Sequence, residues 1–113
     1  MDEFAGWLSQ LRKGFVELLV LELLLGGERY GYGIVQELRA LGDLVSGEAT
    51  VYPVLKRLEA NGSLASRWVT EDGGAIPRKY YAITGRGREF LIRGLAEWDK
   101  AAAAVEQLRR IDA

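Results

Sequence analysis

The stretch SGEATVYPVLKRLEANG, residues 46–62, decides how the rest of the chain is interpreted. Ser46 is a residue type that caps helix N-termini, and Asn61-Gly62 tolerates the left-handed backbone that ends helices. We therefore predict a helix from Ser46 to about residue 60. Pro53 removes one backbone donor, costs about 3 kcal/mol in a helix interior, and disfavours helical geometry at Tyr52. We accordingly expect a loose first turn, with regular helix beginning near Pro53.

This predicted helix has two unlike faces when successive residues are placed 100° apart. The apolar face, which should pack into the core, consists of Val51, Val54, Leu55 and Leu58. The opposite face is small and basic and consists of Ala49, Pro53, Lys56 and Ala60, flanked by Ser46 and Arg57 on one side and Tyr52 on the other. Such a face suits a helix in the major groove, with Lys56, Thr50 and Tyr52 contacting phosphates or base edges. An ordinary amphipathic helix with a solvated outer face is the alternative.

Two further helices are predicted ahead of this segment. Residues 4–25 repeat large apolar side chains at spacings of three and four, with Gly14 as a candidate break or bend, and Gly26-Gly27 ends the run. Residues 30–41 carry a shorter apolar stripe, and Gly42 follows as a stop. Only residues 42–45 separate this helix from the next, which is the spacing of a helix-turn-helix.

A hairpin and a long helix are predicted after it. Residues 64–70 and 79–83 read as strands around the turn sequence Glu71-Asp72-Gly73-Gly74, and Thr84 is placed to cap a last helix over residues 85–110. The fold class is therefore mainly α with a small β-hairpin, in the order of a winged helix-turn-helix chain. Residues 1–84 are expected to form the DNA-binding domain with its N-terminal helix. Residues 85–113 are expected to form a dimerisation helix within the same compact unit.

The stem of the predicted hairpin is basic. Arg78 and Lys79 follow the turn, Arg67 lies on the partner strand, and Pro77 limits strand pairing near the tip. A basic hairpin with a glycine-rich tip can straddle a phosphate backbone or enter a minor groove. Lys and Arg also protect exposed strand edges, so the hairpin alone is weak evidence for DNA binding. Its place directly after the third helix strengthens the DNA-binding interpretation.

Composition narrows the classes of function. The 113 residues include no Cys and no His, which excludes disulfides, thiolate metal sites and the commonest general base. We therefore expect a protein that is not an enzyme and needs no cofactor or metal. With no signal peptide and no bilayer-length apolar run, a cytoplasmic protein is expected. The net charge is −1, yet residues 46–88 hold seven basic and four acidic residues, against eight and twelve elsewhere. A phosphate-facing surface would produce this distribution, as would chance scatter.

Four stretches together resemble the PadR family of transcriptional regulators, over about residues 11–100: LRKG at 11–14, YGYGI at 30–34, GEATVYPVLKRLE at 47–59, and PRKYY at 77–81 followed by Thr84. The resemblance implies a winged-helix DNA-binding domain, a dimer built through the last helix with help from the first, and repression of nearby genes. By position, Tyr52 and Lys56 match recognition-helix residues that touch DNA, and Arg78 and Lys79 match the wing. Members commonly carry Gly or Gln where this chain has Glu48 or Ala49, so base preference does not transfer. The single last helix resembles the short branch of the family.

The last predicted helix carries an apolar seam that one chain has little to cover. Its residues follow each other at spacings of four and three: Leu91, Leu95, Trp98, Ala102 and Val105. Such a seam is typical of coiled-coil pairing, and a symmetric partner would bury it. With Leu8 and Leu11 it forms the predicted homodimer interface. A dimer would place the two recognition helices about 34 Å apart. The expected target is therefore double-stranded DNA with a pseudo-palindromic operator.

Trp98, in the middle of this seam, has two interpretations. In the multidrug-binding subset of the family that the chain resembles, a similarly placed Trp and its partner-subunit counterpart stack on planar compounds. Trp98, Trp7, Phe4 and Asp99 are therefore candidate contacts for a small planar aromatic effector. The alternative is that Trp98 fills the dimer core and Asp99 is simply an exposed acid.

The sequence thus predicts a dimeric, sequence-specific DNA-binding transcriptional regulator, a repressor relieved by a small aromatic effector. The predicted DNA-binding residues are Ser46, Ala49, Thr50, Tyr52, Pro53, Lys56, Arg57, Arg67, Arg78 and Lys79. Two other functions stay open: a winged helix used for protein contacts, and a carrier of aromatic compounds working through Trp98. Neither of these would give a DNA affinity that falls steeply with salt.

Overall fold

The computed structural model describes residues 2–42, 45, 47–70, 74 and 76–112. Its elements in chain order are α1 (Glu3–Leu24), β1 (Arg29–Tyr30), α2 (Gly31–Arg39), α3 (Glu48–Ala60), β2 (Leu64–Val69), β3 (Arg78–Ile83) and α4 (Gly85–Asp112). The predicted fold class, mainly helical with a hairpin after the third helix, is confirmed. None of the helices among these residues combines the length and apolar character needed to cross a membrane.

α1 is one helix of 22 residues, so the predicted division at Gly14 is wrong. Asp2 caps its first turn, because its carboxylate accepts a hydrogen bond from the Ala5 amide at 2.7 Å. Gly14 is exposed, and a glycine there costs the helix only about 1 kcal/mol. Burial of apolar side chains along the helix, among them Val16, Val20 and Leu21, outweighs that cost.

α3 is regular from Glu48 through Pro53 to Ala60, so the predicted loose first turn is wrong. Pro53 withholds one donor from the Ala49 carbonyl, but Ala49 lies on an exposed turn where water can satisfy that oxygen. The residue before the helix is Gly47, at φ 108° and ψ −146°, a conformation that residues with side chains rarely adopt. The predicted cap, Ser46, lies outside the described residues.

The sheet has three antiparallel strands in the order β1-β3-β2. β2 and β3 form the predicted hairpin, with Leu64 opposite Ile83 and Trp68 opposite Lys79. β1 adds a short third strand that pairs Tyr30 with Tyr80. The sequence did not predict β1, since two residues are too few to show an alternating pattern.

The element boundaries differ slightly from the predicted ones. α2 begins at Gly31 because Tyr30 belongs to β1, and it ends at Arg39 ahead of Gly42, whose φ of 109° suits the predicted stop. β2 ends at Val69, and β3 begins at Arg78, directly after Pro77. The predicted turn residues Glu71, Asp72 and Gly73 lie outside the described residues.

The core lies where α1, α2 and α3 pack together against the sheet. Its most buried large side chains are Leu21, Leu24, Ile34, Leu38, Leu55 and Leu58. α4 contributes Leu91 to this core, and Leu95 packs against its edge. Every described residue of α4 from 96 to 112 is exposed, so the second half of α4 projects from the body.

Thr84 caps α4 as predicted, since its hydroxyl accepts a hydrogen bond from the Gly87 amide at 3.0 Å. The same oxygen lies 2.7 Å from the Gly62 carbonyl and 3.0 Å from the Ser63 carbonyl, where it can donate. Thr84 therefore ties the start of α4 to the end of α3.

Candidate nucleic-acid interface

The two faces of α3 are as the helical wheel predicts. The apolar face is buried in the core: Val51, Val54, Leu55 and Leu58. The opposite face, which we call the outward face, is exposed: Ala49, Pro53, Lys56 and Ala60. Its small side chains allow close approach to another surface. Within the described part of the chain, Lys56 has no carboxylate within ion-pair distance, so its charge is available to an anionic partner.

The two flanks of the outward face meet different elements. On one flank, Nε and Nη2 of Arg57 donate to Oε1 of Glu17 at 3.0 and 2.9 Å, which joins α3 to α1. On the other flank, the Tyr52 ring lies against Gly31, where an added Cβ would be 3.0 Å from Cε1. Burial raises the pKa of Tyr52 above its ordinary value, which already lies well above neutral pH, and its protonated phenol can donate a hydrogen bond.

The wing, formed by β2 and β3, presents basic side chains that are already paired. Arg67 holds Glu28 with two hydrogen bonds, of 2.8 and 2.6 Å. These bonds lower the pKa of Glu28 and raise that of Arg67. Arg78 has a different neighbour, because its guanidinium lies 4.7 Å from the centre of the Tyr30 ring.

Lys79 fixes β3 of the wing to the end of α3. Its ammonium lies 3.1 Å from Oε1 of Glu59, and the other oxygen of Glu59 accepts a hydrogen bond from the Ser66 hydroxyl. The Ser66 bond, with help from Lys79, lowers the pKa of Glu59, and the Glu59 bond raises the pKa of Lys79. Lys79 thus stands beside the outward face instead of reaching freely from the wing.

Three of the cations predicted to bind DNA therefore have carboxylate partners: Arg57, Arg67 and Lys79. The sequence pattern did not show these pairs, because each joins residues that are 20 to 40 positions apart. A DNA phosphate that binds one of these cations has to compete with its carboxylate. No three acidic side chains in the described ranges are grouped so that they could hold a metal ion.

α1 and α4 enclose an apolar groove of about 350 Å³, which we call the aromatic groove. It is lined by Leu11, Phe15, Leu18, Leu19, Leu95 and Trp98. The rings of Phe15 and Trp98 meet at 5.5 Å with a tilt of 60°. The sequence did not single out Phe15, although it belongs to the apolar repeat of the first helix.

The other predicted effector residues do not join this groove within one chain. Phe4 and Trp7 stack on each other at 5.6 Å. Trp7 precedes Phe15 by eight residues, which is about 12 Å along a helix. Asp99 is exposed and does not line the groove. The predicted gathering of Phe4, Trp7 and Asp99 around Trp98 is therefore not present in the single chain.

The predicted dimer seam is largely exposed. Trp98 and Val105 are 44% and 52% exposed, and Ala102 is exposed as well. Leu108, three residues after Val105, adds an exposed apolar side chain beside this seam that the sequence did not single out. Leu91 is the exception, because it is 2% exposed in the chain's own core and offers a partner almost no surface. On α1, Leu8 is half-buried and Leu11 is 39% exposed.

Comparison with known proteins gives one family. The model of the transcriptional regulator PadR-like family matches residues 20–93, more than half of the chain. This range contains α2, α3, the wing and the first part of α4. No functionally curated protein matches the chain.

Solved structures extend the similarity to nearly the whole chain. A PadR family transcriptional regulator from Eggerthella lenta is 36% identical, with 95% of this chain and 92% of that chain covered and a TM-score of 0.78. A transcriptional regulator from Streptococcus is 34% identical over 88% and 97% of the two chains, at a TM-score of 0.77. A PadR-like transcriptional regulator from Bacillus cereus is 29% identical over 88% and 95%, at 0.75.

Proposed function

Because the chain belongs to the PadR-like family of transcriptional regulators, and is thus a DNA-binding regulator rather than an enzyme, we propose that it is a cytoplasmic repressor. In this proposal two copies bind a pseudo-palindromic operator beside the genes they control. The observation that carries the proposal is the outward face of α3, which is small, exposed and basic at Lys56. It supports a helix that lies in a major groove.

The wing supports the same proposal. A helix in a major groove is bordered by two phosphate backbones, and the wing lies on the flank of α3 that carries Tyr52 and Glu59. Lys79 faces this flank and is a candidate for contact with one backbone. Arg78 and Arg67, on the other face of the same hairpin, are further candidates for this contact. Ala49, Thr50 and Pro53 lie nearest the N-terminal end of α3, where contact with base edges is expected.

Dimerisation is the second part of the proposal. The exposed stripe of α4, from Trp98 through Val105 to Leu108, lies on a helix end that has no covering element in the described part of the chain. A second copy related by a two-fold axis would present the same stripe, and the two stripes would bury each other. Leu8 and Leu11 of α1 would extend this interface. Residues 85–113 would then form the dimerisation helix of the unit.

Replacement of Lys56 by alanine tests the DNA-binding surface. We expect roughly tenfold weaker binding to the protein's own promoter DNA, because each subunit loses one contact to phosphate or a guanine edge. If the contact is to phosphate, the slope of log affinity against log salt should fall by about 0.9 for each subunit. Fluorescence anisotropy at several salt concentrations measures both quantities.

Lys100→Ala is the matched control, since Lys100 is an exposed lysine on α4 that pairs only with Glu97 among the described residues. It removes the same charge and should bind DNA like the wild type. If the wild type shows no salt-dependent affinity for its promoter, the proposal fails, and a role in protein contacts takes its place.

The aromatic groove supports relief of repression by a small planar compound. The groove is almost entirely apolar, and Phe15 and Trp98 can hold a flat ring system between them. Both lie where α1 meets α4, so a ligand there could alter the relation of the DNA-binding unit to the dimer helix. Trp98 filling the dimer core, or a carrier function, is the competing interpretation.

Tryptophan fluorescence distinguishes these interpretations. We expect a planar tricyclic cation such as proflavine to quench the tryptophan emission of wild-type protein and of a Trp7→Phe, Trp68→Phe variant, which keeps Trp98 as its only tryptophan. Trp98→Phe should lose most of the quenching, and promoter binding should weaken when the dye is bound. Saturating quenching without any change in promoter affinity would indicate a carrier. No quenching by any of a broad panel of planar compounds would favour Trp98 as a core residue.

A further inference from the structure

A second cleft, between the N-terminal half of α1 and the outward face of α3, is lined by three basic side chains. It has a volume of about 320 Å³. Its polar and charged lining comes from Ser9, Arg12 and Lys13 of α1 and from Thr50 and Arg57 of α3. Ala49 and Pro53 form its edge, so the cleft is continuous with the outward face.

We propose that this basic cleft binds a phosphate of the DNA backbone, so that α1 is part of the DNA interface. The proposal rests on the proposed function and adds Lys13 and Arg12 as residues that contact this phosphate. Three cations from two helices surround the cleft: Arg12, Lys13 and Arg57. Guanidinium and ammonium groups in such an arrangement can bind the oxygens of a phosphate.

The geometry of α3 explains why a backbone would reach this place. A helix of 10–12 Å diameter fills a major groove about 12 Å wide, so both bordering backbones come close to its flanks. The wing and Tyr52 occupy one flank. Thr50 and Arg57 lie on the other, and α1 is the element packed there through Glu17. The α1 cleft is thus the counterpart of the wing on the opposite backbone.

The Glu17–Arg57 pair sets the shape of this cleft. Glu17 is 17% exposed and Arg57 is 49% exposed, so the carboxylate anchors a guanidinium that still has an accessible side. Arg57 is thereby held toward α1 and near the other two cations. Lys13 is exposed on the rim and is the side chain that can change position when a phosphate arrives.

Lys13→Gln is the direct test, because Lys13 is exposed on a helix and its replacement should leave folding intact. We expect promoter affinity to fall roughly tenfold and the salt slope to fall by about 0.9 per subunit, as for one lost phosphate contact. Lys13→Arg should retain most of the affinity. Lys100→Gln, with the same change of charge on α4, should have no effect.

Neutral methylphosphonate linkages in the operator locate the contact. Wild-type affinity should fall when the linkage flanking each half-site on the α1 side is neutral, and Lys13→Gln should be insensitive to that same linkage. If wild-type protein binds with a steep salt dependence but Lys13→Gln binds equally well at every salt concentration, the cleft proposal is overturned while the proposed function stands. If the wild type itself does not bind, the proposed function fails first.

Discussion

Replacing Val105 and Leu108 with aspartate is expected to convert the proposed dimer into a monomer and to weaken operator binding at least 100-fold. Both side chains are exposed in the single chain, at 52% and 62%, so the change should leave each fold intact. In the proposed dimer they face the same stripe on the partner, and two buried, unpaired carboxylates per subunit are too costly to keep. Sedimentation equilibrium at micromolar concentration measures the change of mass.

The loss of DNA affinity follows from geometry rather than from any lost DNA contact. In a dimer, once one recognition helix is bound, binding of the second is intramolecular. Linked binding of this kind strengthens affinity by about 10²–10⁴-fold. Wild-type protein should therefore prefer a complete operator over a half-site by at least 100-fold. The double variant should bind both DNAs with the same weak affinity.

Gln107→Asp is the matched control for this prediction. Gln107 lies on the same exposed turn of α4 but about 200° around the helix from Val105, so its replacement adds a charge away from the stripe. It should remain a dimer and bind the full operator like the wild type. A double aspartate variant that stays dimeric would show that α4 pairs through another face or not at all.

The sequence predicted those features of the fold that depend on local periodicity. The buried and exposed faces of α3 follow from residues at helical spacing, and the wing follows from two strand-like segments around a turn. Pro53 misled the prediction because its cost was assigned to the whole first turn, whereas only the Ala49 carbonyl loses a donor. β1 was not predicted, because its two residues form a strand only by pairing with β3.

The site could be predicted only in part, because several of its features depend on contacts between distant elements. The identity of the cations was visible in the sequence, but their carboxylate partners were not. Phe15 lines the aromatic groove because α1 and α4 cross closely, where an added Cβ on Gly94 would come within 2.5 Å of Leu18. No pattern within either helix shows which residues meet at that crossing. The same limit applies to Phe4 and Trp7, whose helix was predicted correctly but whose distance from Trp98 was not.

The carboxylates paired with the basic side chains would affect how readily DNA is released in the proposed complex. Glu17, Glu28 and Glu59 are paired with cations in the chain without DNA. In the proposed complex, this pairing would lower the cost of releasing the phosphates. The same pairing keeps the basic side chains in fixed positions. A surface of this kind favours a defined site over strong nonspecific attraction, since nonspecific affinity depends mainly on uncompensated charge.

Gly87→Ala is expected to have the largest effect on stability of any single methyl addition at the start of α4. An added Cβ at Gly87 would overlap the carbonyl oxygen of the buried Ser63 and come within 2.9 Å of Cγ1 of Ile83. The Ser63 carbonyl cannot easily move away, because the Thr84 amide and hydroxyl bind it at 3.1 and 3.0 Å. We expect a loss of about 2–3 kcal/mol in the free energy of unfolding and a fall in Tm of roughly 10 °C.

Gly85→Ala separates this contact from the general effect of alanine in a helix. A Cβ at Gly85 would meet no atom within 4 Å, and alanine is favoured over glycine within helices by about 1 kcal/mol. Urea denaturation should therefore show Gly85→Ala at or slightly above wild-type stability and Gly87→Ala well below it. Equal stability of the two variants would mean that α4 can shift away from Ser63 without cost. α4 would then be loosely attached to the DNA-binding unit, and a ligand in the aromatic groove would have no rigid connection through which to act.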